Sequence, residues 1–512
     1  MQVKIQETLQ LDQLLATVAS YTHSQVAAAA IQATPVLPDL AAVSAELALT
    51  HEAHALLAED VRLTFFNLDE LTVVKTKLTQ GRLLTPAQLQ VVLTLLTSWE
   101  RLKRVLAARA TQAPHLAELV AAVTPLRGLR QRLAQSVDEH GIRDAATPEL
   151  AAIRQQLRQQ RAKVQSEVAR FIQKHPGQLQ SRQVIRRDQH YGVQLKASYK
   201  HQFKGTVLGQ SATGATVYFE PGSVTQSGRV LATLLEQEDA EVYQIVATLT
   251  GDLDAHWAEL ATQMASFSRL DQIFARGQYG LTLGAIRPQL NADQLVKIVG
   301  GRHPLLGTTA VPLNVTLPAG QSLMITGANS GGKTVVLKTI ALFSLMIKMG
   351  LEVPAQPGTN LAVFDQLWLD IGDQQDLTAQ LSTFSGEMTT LVDITANLRP
   401  NALVLLDEIG SGTDPDEGAA LGIAIIADLL ARQAKLIVTT HYSEIKRYAV
   451  ATPAFITAAM AFDRQTLRPT YRLLLNQVGE SEAMWLAARL GLDPRIVAAA
   501  RARLAHSSTD LN

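Results

Sequence analysis

Gly327-Ala328-Asn329-Ser330-Gly331-Gly332-Lys333-Thr334 is the stretch on which the reading of this chain turns. It satisfies G-x-x-x-x-G-K-[ST], directly after the apolar run Leu323-Met324-Ile325 and before a helical pattern over 335–346. Glycines let a backbone wrap phosphates, whose charge then meets amide N–H groups and the N-terminus of a helix. In such a loop Lys333 reaches the β- and γ-phosphates, and the Thr334 hydroxyl completes a Mg²⁺ shell. Gly327, Asn329, Ser330, Gly331, Gly332, Lys333 and Thr334 are therefore candidate nucleotide-binding residues, with ATP and Mg²⁺ as the cofactors.

Downstream, Ala402-Leu403-Val404-Leu405-Leu406-Asp407-Glu408 reads as a buried strand ending in two carboxylates. Unpaired buried charge is costly, so two acids at that place point to chemistry. Asp407 suits Mg²⁺ and Glu408 suits polarising an attacking water. A third strand over 436–440 leads to His441, where a γ-phosphate sensor is expected. Between the first two strands, Leu381-Ser382-Thr383-Phe384-Ser385-Gly386-Glu387-Met388 opens a helix and offers hydroxyls and free N–H groups to an anion. Gly410-Ser411-Gly412-Thr413-Asp414-Pro415 follows the carboxylate pair as a turn series. Short apolar runs alternating with helices from about residue 281 give an α/β layout with parallel strands. This order of elements belongs to ATPases that dimerise head to tail, the signature of one subunit covering the ATP of the other.

The upstream part is of another kind. Residues 1–125 are Ala- and Leu-rich with proline punctuation, a helical domain, and Thr85-Pro86 reads as a capped helix start. His51 and His54, at i and i+3, read as surface histidines in the absence of a third ligand nearby. Leu150, Ile153, Leu157, Val164, Val168 and Phe171 form a narrow apolar seam on a polar helix, and Val230, Leu234, Val242, Ile245, Leu249 and Leu253 form its counterpart. Between them 182–221 reads as strands and turns, a β-rich tip on two helical arms. The chain is neutral overall, with 46 Lys and Arg against 46 Asp and Glu. From 127 to 204, however, 16 Lys and Arg face 6 Asp and Glu, a net +10 suited to a polyanion. Arg182, Arg186, Arg187, Lys196, Lys200 and Lys204 are the candidate nucleic-acid contacts. The absence of cysteine excludes disulfides and thiolate chemistry, and no run of 18 uncharged apolar residues suggests a membrane span. A cytoplasmic, nucleoid-associated protein with no membrane partner is the expectation. The fold class is α+β multidomain: a helical core (1–125), helical arms with the tip at 182–221 (126–280), and an α/β P-loop ATPase and dimerisation domain (281–512).

G-x-N-x-G-G-K-T, STF, LLDEIGSGTDPDEG and TTHY together resemble the MutS branch of the ABC-type ATPases, as does Gly301-Arg302-His303-Pro304 upstream. The run from Gly205 to Pro221 is similar to the tip of the second bacterial MutS subfamily, the one linked to suppressing recombination. Asp370-Ile371-Gly372-Asp373-Gln374 is similar to that subfamily's Q-loop, and the tail from Phe462 to its dimerisation segment. The resemblance implies levers, a clamp tip and a dimerising ATPase. It gives Lys333, Thr334, Asp407, Glu408 and His441 the ATP roles above, Gln374 a place in the nucleotide site, and Ser382 a role at the neighbour's γ-phosphate. Where the subfamily reads GxPGRSxA, this chain has Asn476-Gln477-Val478-Gly479-Glu480-Ser481-Glu482-Ala483, and Ala328 stands for the usual proline of the phosphate loop. The domains that probe mismatches have no counterpart ahead of residue 1, and the KOW-like and Smr nuclease regions have none after residue 512, so neither mismatch recognition nor nicking is expected.

The function these features imply is an ATP-hydrolysing clamp on branched or recombination-intermediate DNA, working as a homodimer. The alternative is a ribosome-associated ATPase whose arms grip rRNA on stalled ribosomes and whose ATP turnover splits subunits. A transporter ATPase lacks such a helical region upstream of its phosphate loop. A chromosome-condensation ATPase carries its coil between the two nucleotide motifs, which here lie only 74 positions apart, from Lys333 to Asp407.

Overall fold

Thr147 and Pro148 start the first of the two arms. The Thr147 side chain accepts the Leu150 N–H, and proline, having no N–H to lose, fits the first turn of helix α1 (Pro148–Lys174). Leu150, Leu157, Val164 and Val168 are its buried face. Helix α2 (Gly222–Ala255), 34 residues and so about 50 Å long, runs antiparallel to it. The register is pinned by Thr147 Oγ1 donating to Glu241 (2.7 Å), Arg154 to Glu238 (2.7 Å) and Gln160 to the Ser227 carbonyl (2.8 Å). Four antiparallel strands join the arms: β1 (Leu179–Arg187), β2 (His190–Lys196), β3 (Gly205–Gln210) and β4 (Thr216–Pro221), in the order β1-β2-β4-β3. Val193, Leu195, Val217 and Phe219 face the helices and bury there with Leu231 and Leu234.

A computed structural model describes residues 3–507 apart from 188–189, 328–330, 373–382, 412, 464–465, 467, 480–486 and 490. The chain divides into two compact units: Met1–Phe65, Val105–Ala121 and Phe267–Asn512 in one, Phe66–Arg104 and Ala122–Ser266 in the other. These units do not coincide with the three segments expected from the sequence. The helices Leu11–Ala19 and Leu40–Ala58 bury Leu11, Leu14, Val18, Val43 and Leu47 in the same core as the nucleotide-binding sheet.

That sheet has six strands. They are β5 (Ser322–Thr326), β6 (Gln366–Asp370), β7 (Ala402–Leu406), β8 (Lys435–Thr439), β9 (Phe455–Asp463) and β10 (Arg468–Leu475), ordered β6-β7-β8-β5-β9-β10. Neighbours pair in parallel except β9 with β10. All five residues of β5, of β7 and of β8 are buried, which is why β7 and the middles of β5 (Leu323–Ile325) and β8 (Leu436–Val438) are continuously apolar rather than alternating. Helices α3 (Lys333–Lys348), α4 (Thr383–Asn397), α5 (Pro415–Ala431) and α6 (Ser443–Ala451) connect them. Sites on such sheets form beyond the carboxyl ends of the strands, and the carboxyl ends of β5, β7 and β8 carry Gly327, Asp407 and Thr440.

Two expectations are corrected. Val230 is 45% exposed and the adjacent Leu231 is buried in its place on α2, whereas Leu234, Ile245, Leu249 and Leu253 are buried as expected. Within the strands and turns of the tip, Ala197–Tyr199 is the 3-10 turn that leads to β3. The +10 block is less available than its count implies: Arg132 pairs with Asp252, Arg154 with Asp144 and Glu238, and Arg158 with Asp144. The Thr85 start is as expected, with Thr85 and Gln88 exchanging side-chain bonds to each other's backbone N–H ahead of helix Pro86–Ala107. Among the described residues no helix is long and apolar enough to cross a membrane.

Candidate nucleotide site

Gly332 immediately precedes helix α3 with φ +93, in the left-handed region that a side chain disfavours, and so turns the chain into the helix. The first residues of α3 are Lys333 and Thr334. Lys333 is 1% exposed, and its Nζ donates to the Gly327 carbonyl at 2.9 Å, so the lysine lies back across its own loop. Glu408 Oε1 lies 3.8 Å from the same Nζ. Burial pulls the Lys333 pKa down, while Glu408 and Asp407 pull it up and Lys446 adds to the lowering. A buried cation beside N–H groups at a helix N-terminus is arranged for an anion.

Asp407 and Glu408 follow directly on β7. Thr334 Oγ1 donates to Asp407 Oδ2 at 2.6 Å, and Thr439 Oγ1 donates to Asp407 Oδ1 at 2.5 Å. Thr439 also accepts the Glu408 N–H at 2.9 Å, so β8 holds both acids. Glu408 takes φ +56, a conformation that costs a non-glycine residue about 1–2 kcal/mol. The Thr334 hydroxyl and the Asp407 carboxylate are hard oxygen donors side by side at the phosphate loop. That donor set fits Mg²⁺, which uses one or two protein oxygens and otherwise water and phosphate. His441, two residues beyond β8, is held below the usual imidazole range, first by partial desolvation, with Glu408 opposing and Lys333 and Lys446 reinforcing.

The structure thus brings Gly327, Gly331, Gly332, Lys333, Thr334, Asp407, Glu408 and His441 to one end of one sheet. Asn329, Ser330, Gln374 and Ser382 lie outside the described residues. So do Glu480, Ser481, Glu482 and Ala483, where the chain departs from the subfamily pattern.

Two features escaped the sequence reading. Lys446, on α6, depresses both Lys333 and His441 electrostatically and adds a second lysine to the site. Beside Gly332 opens a cavity of about 200 Å³ lined by His303, Val311, Leu313, Val336 and Tyr471. His303 Nδ1 is buried there and, among the described residues, has no hydrogen-bond partner; burial pushes its pKa down to about 4, with Lys338 reinforcing. Tyr471 takes φ +57, remains 51% exposed and approaches Gly332 closely enough that a Cβ on the glycine would sit 3.1 Å from its ring. The RHP motif pointed at His303; nothing in the strand pattern around Tyr471 pointed at the loop.

The six cations of the arms and tip do not share one environment. Arg186 lies over the Tyr191 ring and Arg187 over the Tyr218 ring, at 5.8 and 5.6 Å from the centroids. Lys196 Nζ donates to the Gly177 carbonyl at 2.9 Å, whereas Arg182 and Lys204 are exposed and Lys200 is half-buried.

Residues 323–507 match MutS domain V. Over 508 residues the chain is 36% identical to a protein named endonuclease MutS2 from Pelotomaculum thermopropionicum, covering 98% of this chain and 65% of that protein. A protein of the same name from Symbiobacterium thermophilum is 37% identical over 96% of this chain and 62% of its own length. The one from Geobacillus kaustophilus is 35% identical over 99% and 66%. The chain therefore spans a little under two thirds of the length of these relatives. Together the matches support the MutS family for this chain, on a nucleotide site that its own residues assemble.

Proposed function

We propose that the chain is an ATP-hydrolysing clamp that binds branched or recombination-intermediate DNA as a homodimer. The observation that carries the proposal is the meeting of Lys333, Thr334, Asp407 and Glu408 at the carboxyl ends of β5 and β7, Thr334 and Asp407 joined by a hydrogen bond and Lys333 and Glu408 by an ion pair at 3.8 Å. In this reading Lys333 and the N–H groups at the start of α3 hold the β- and γ-phosphates. Lys333 then exchanges its present contact with the Gly327 carbonyl for phosphate oxygens. Glu408 orients the attacking water and accepts its proton, and His441 and Lys446 lie on the γ-phosphate side. The His303–Tyr471 cavity takes the base, whose apolar faces suit Tyr471 and Val311 and whose ring edge can satisfy the orphaned His303 nitrogen. Mg²⁺, when bound at Thr334 and Asp407, supplies charge neutralisation between the phosphate oxygens.

The tip and arms supply the polyanion contacts in the same reading, with Arg182, Arg186, Arg187, Lys196, Lys200 and Lys204 positioning phosphates rather than reading bases. If about six phosphates are contacted, log affinity falls against log salt with a slope of roughly −5. Ser382 and Gln374 take the trans and Q-loop roles, and the ATPase parts of two copies close on the nucleotide. The relatives are called endonucleases; no nicking by residues 1–512 is part of this proposal, and a supercoiled plasmid incubated with Mg²⁺ or Mn²⁺ is expected to stay intact.

A competition panel of four-way junction, duplex, single strand and ribosomes, each with and without ATP, tests the proposal. The expected result is preference for the junction, altered by nucleotide. Ribosome co-migration that survives DNase treatment overturns it in favour of an rRNA-bound ATPase. Light scattering with and without ATP reads the dimer: a chain that stays monomeric in both conditions removes the trans site.

A further inference from the structure

Gly410, two residues beyond Glu408, is gripped on both sides. Its N–H donates to Glu387 Oε1 on α4 at 2.9 Å, and its carbonyl accepts the Tyr442 hydroxyl at 3.2 Å. The residue has little freedom to move otherwise. It takes φ +82, and a Cβ at Gly410 would meet the Gly418 carbonyl while one at Gly418 would meet the Gly410 carbonyl, so the turn is pressed against the start of α5. The Ser411 N–H closes back onto the Glu408 carbonyl at 3.1 Å. The segment carrying Glu408 is therefore fastened at its start by Thr439 and two residues on by Glu387 and Tyr442.

Such fastening matters because Glu408 is held in a left-handed conformation, which persists only where surrounding contacts over-determine it. Glu387 is an unusual choice for a merely structural acceptor. Burial pushes its carboxyl up from the ordinary carboxylate range, against the pull of the Gly410 N–H, and among the described residues no ion pair joins it to a Lys or Arg. Tyr442, the other group that holds this turn, feels the negative charge of Glu387, Asp414 and Glu408.

We infer that Glu387 is a positioning residue for Glu408, holding the turn Glu408–Gly410 through the Gly410 amide and tying it to helix α4. Because α4 also follows the Ser382 segment, any displacement of that helix on nucleotide engagement is transmitted by one hydrogen bond to the water-polarising carboxylate. The inference rests on the proposed role of Glu408, and its test separates the two.

The experiment compares the purified full chain with Glu387→Ala, Glu387→Gln and Tyr442→Phe, measuring equilibrium binding of a fluorescent ATP analogue, steady-state ATP turnover and thermal melting. Misplacement of a reacting group by about 1 Å costs up to roughly 100-fold, and loss of one of three fastenings is expected to lower turnover about tenfold in Glu387→Ala. Nucleotide affinity should stay within about twofold, since no nucleotide contact is lost. Glu387→Gln keeps an acceptor oxygen and is expected to recover most of the rate, and Tyr442→Phe to fall between. Wild-type turnover in Glu387→Ala, an equal loss in Ala and Gln, or a loss carried by weaker binding each overturns the inference. Should Glu387→Ala melt below the assay temperature, Glu387→Met, similar in length without the oxygen, takes its place and is expected to show the same tenfold loss. A wild-type chain that binds but never hydrolyses ATP overturns instead the assignment of Glu408.

Discussion

Lys333 and Lys204 carry the same charge in opposite settings. Lys333 is buried, lies against a backbone carbonyl and faces two carboxylates, so its neighbours are dictated to within a hydrogen bond. Lys204 is exposed on the tip and has no such dictated geometry. A buried charge must be compensated, and the compensation fixes which residues stand where. An exposed charge is solvated wherever it sits and serves any phosphate that comes near. The nucleotide site should therefore break at single residues, and the arms should weaken by degrees.

The sharpest test of that contrast is Lys333→Ala. It removes the buried cation that lies against the phosphate loop and is expected to weaken ATP binding by at least about 100-fold, near 2.7 kcal/mol. Binding of DNA without nucleotide should be unchanged, as read by fluorescence anisotropy; a parallel loss of both would mean that the two regions are not separable. Glu408→Gln comes next. It keeps the shape of the site and loses the proton acceptor, so nucleotide binding persists while turnover falls about 100-fold, the lower end of what general-base catalysis contributes. Wild-type turnover in this variant would assign the water to another residue.

How much of this was legible follows the same physical line. Strands β5, β7 and β8 were readable because burial on both faces gives each an unbroken apolar run of three residues or more, and the phosphate loop because its chemistry demands glycines and a lysine at fixed spacing. Contacts between residues far apart in sequence were not. Glu387 reaches Gly410, Lys446 acts on Lys333, and Tyr471 reaches Gly332, and no local pattern announces any of these pairs. The arms were readable as helices, and so was most of their seam: Leu150, Leu157, Val164 and Val168 on α1 and Leu234, Ile245, Leu249 and Leu253 on α2 are buried, while at the start of α2 packing against α1 and the tip selects Leu231 in place of Val230. Charge counting misled most, since a sum along 127–204 cannot see that Asp252 and Glu238, outside that window, neutralise Arg132 and Arg154.

For the tip, the double variant Lys200→Ala, Lys204→Ala is expected to lower affinity about tenfold at moderate salt and to flatten the salt slope by roughly 2. The loss should be alike for every DNA sequence, because phosphate contacts carry no base information. ATP affinity should not change. A loss confined to one sequence or one junction arm would show that the tip reads shape or bases and would erase the contrast with the nucleotide site.

The smallest effect concerns where the nucleotide-binding unit ends. His51 and His54 are not idle surface histidines: both bond through Nδ1 to the buried carboxylate of Glu352, His51 at 2.7 Å, and Thr50 on the same helix donates to the Gly350 carbonyl at 2.7 Å. These contacts fasten helix Leu40–Ala58 to the segment that leaves α3, so an N-terminal helix stabilises the unit that holds the phosphate loop. His54→Ala should cost about 1–2 kcal/mol, the worth of a hydrogen bond to a charged group. The Glu352 side chain raises the His54 pKa against desolvation; burial acts to raise that of Glu352, but its bonds to His51 and His54 lower it overall. A histidine raised on folding contributes stability that is complete below its unfolded value, near 6.5, and is lost as pH rises through the folded value. A carboxylate lowered on folding contributes above its own unfolded value, near 4.3, and loses that contribution as pH falls through the lower folded one. The pair is therefore worth most between those limits, and the difference in melting temperature between wild type and His54→Ala should shrink from about pH 6 to about pH 9. An unchanged difference across that range would mean that the imidazole acts by packing alone, and the helix would then be held to the unit by Thr50 and its apolar face rather than by charge.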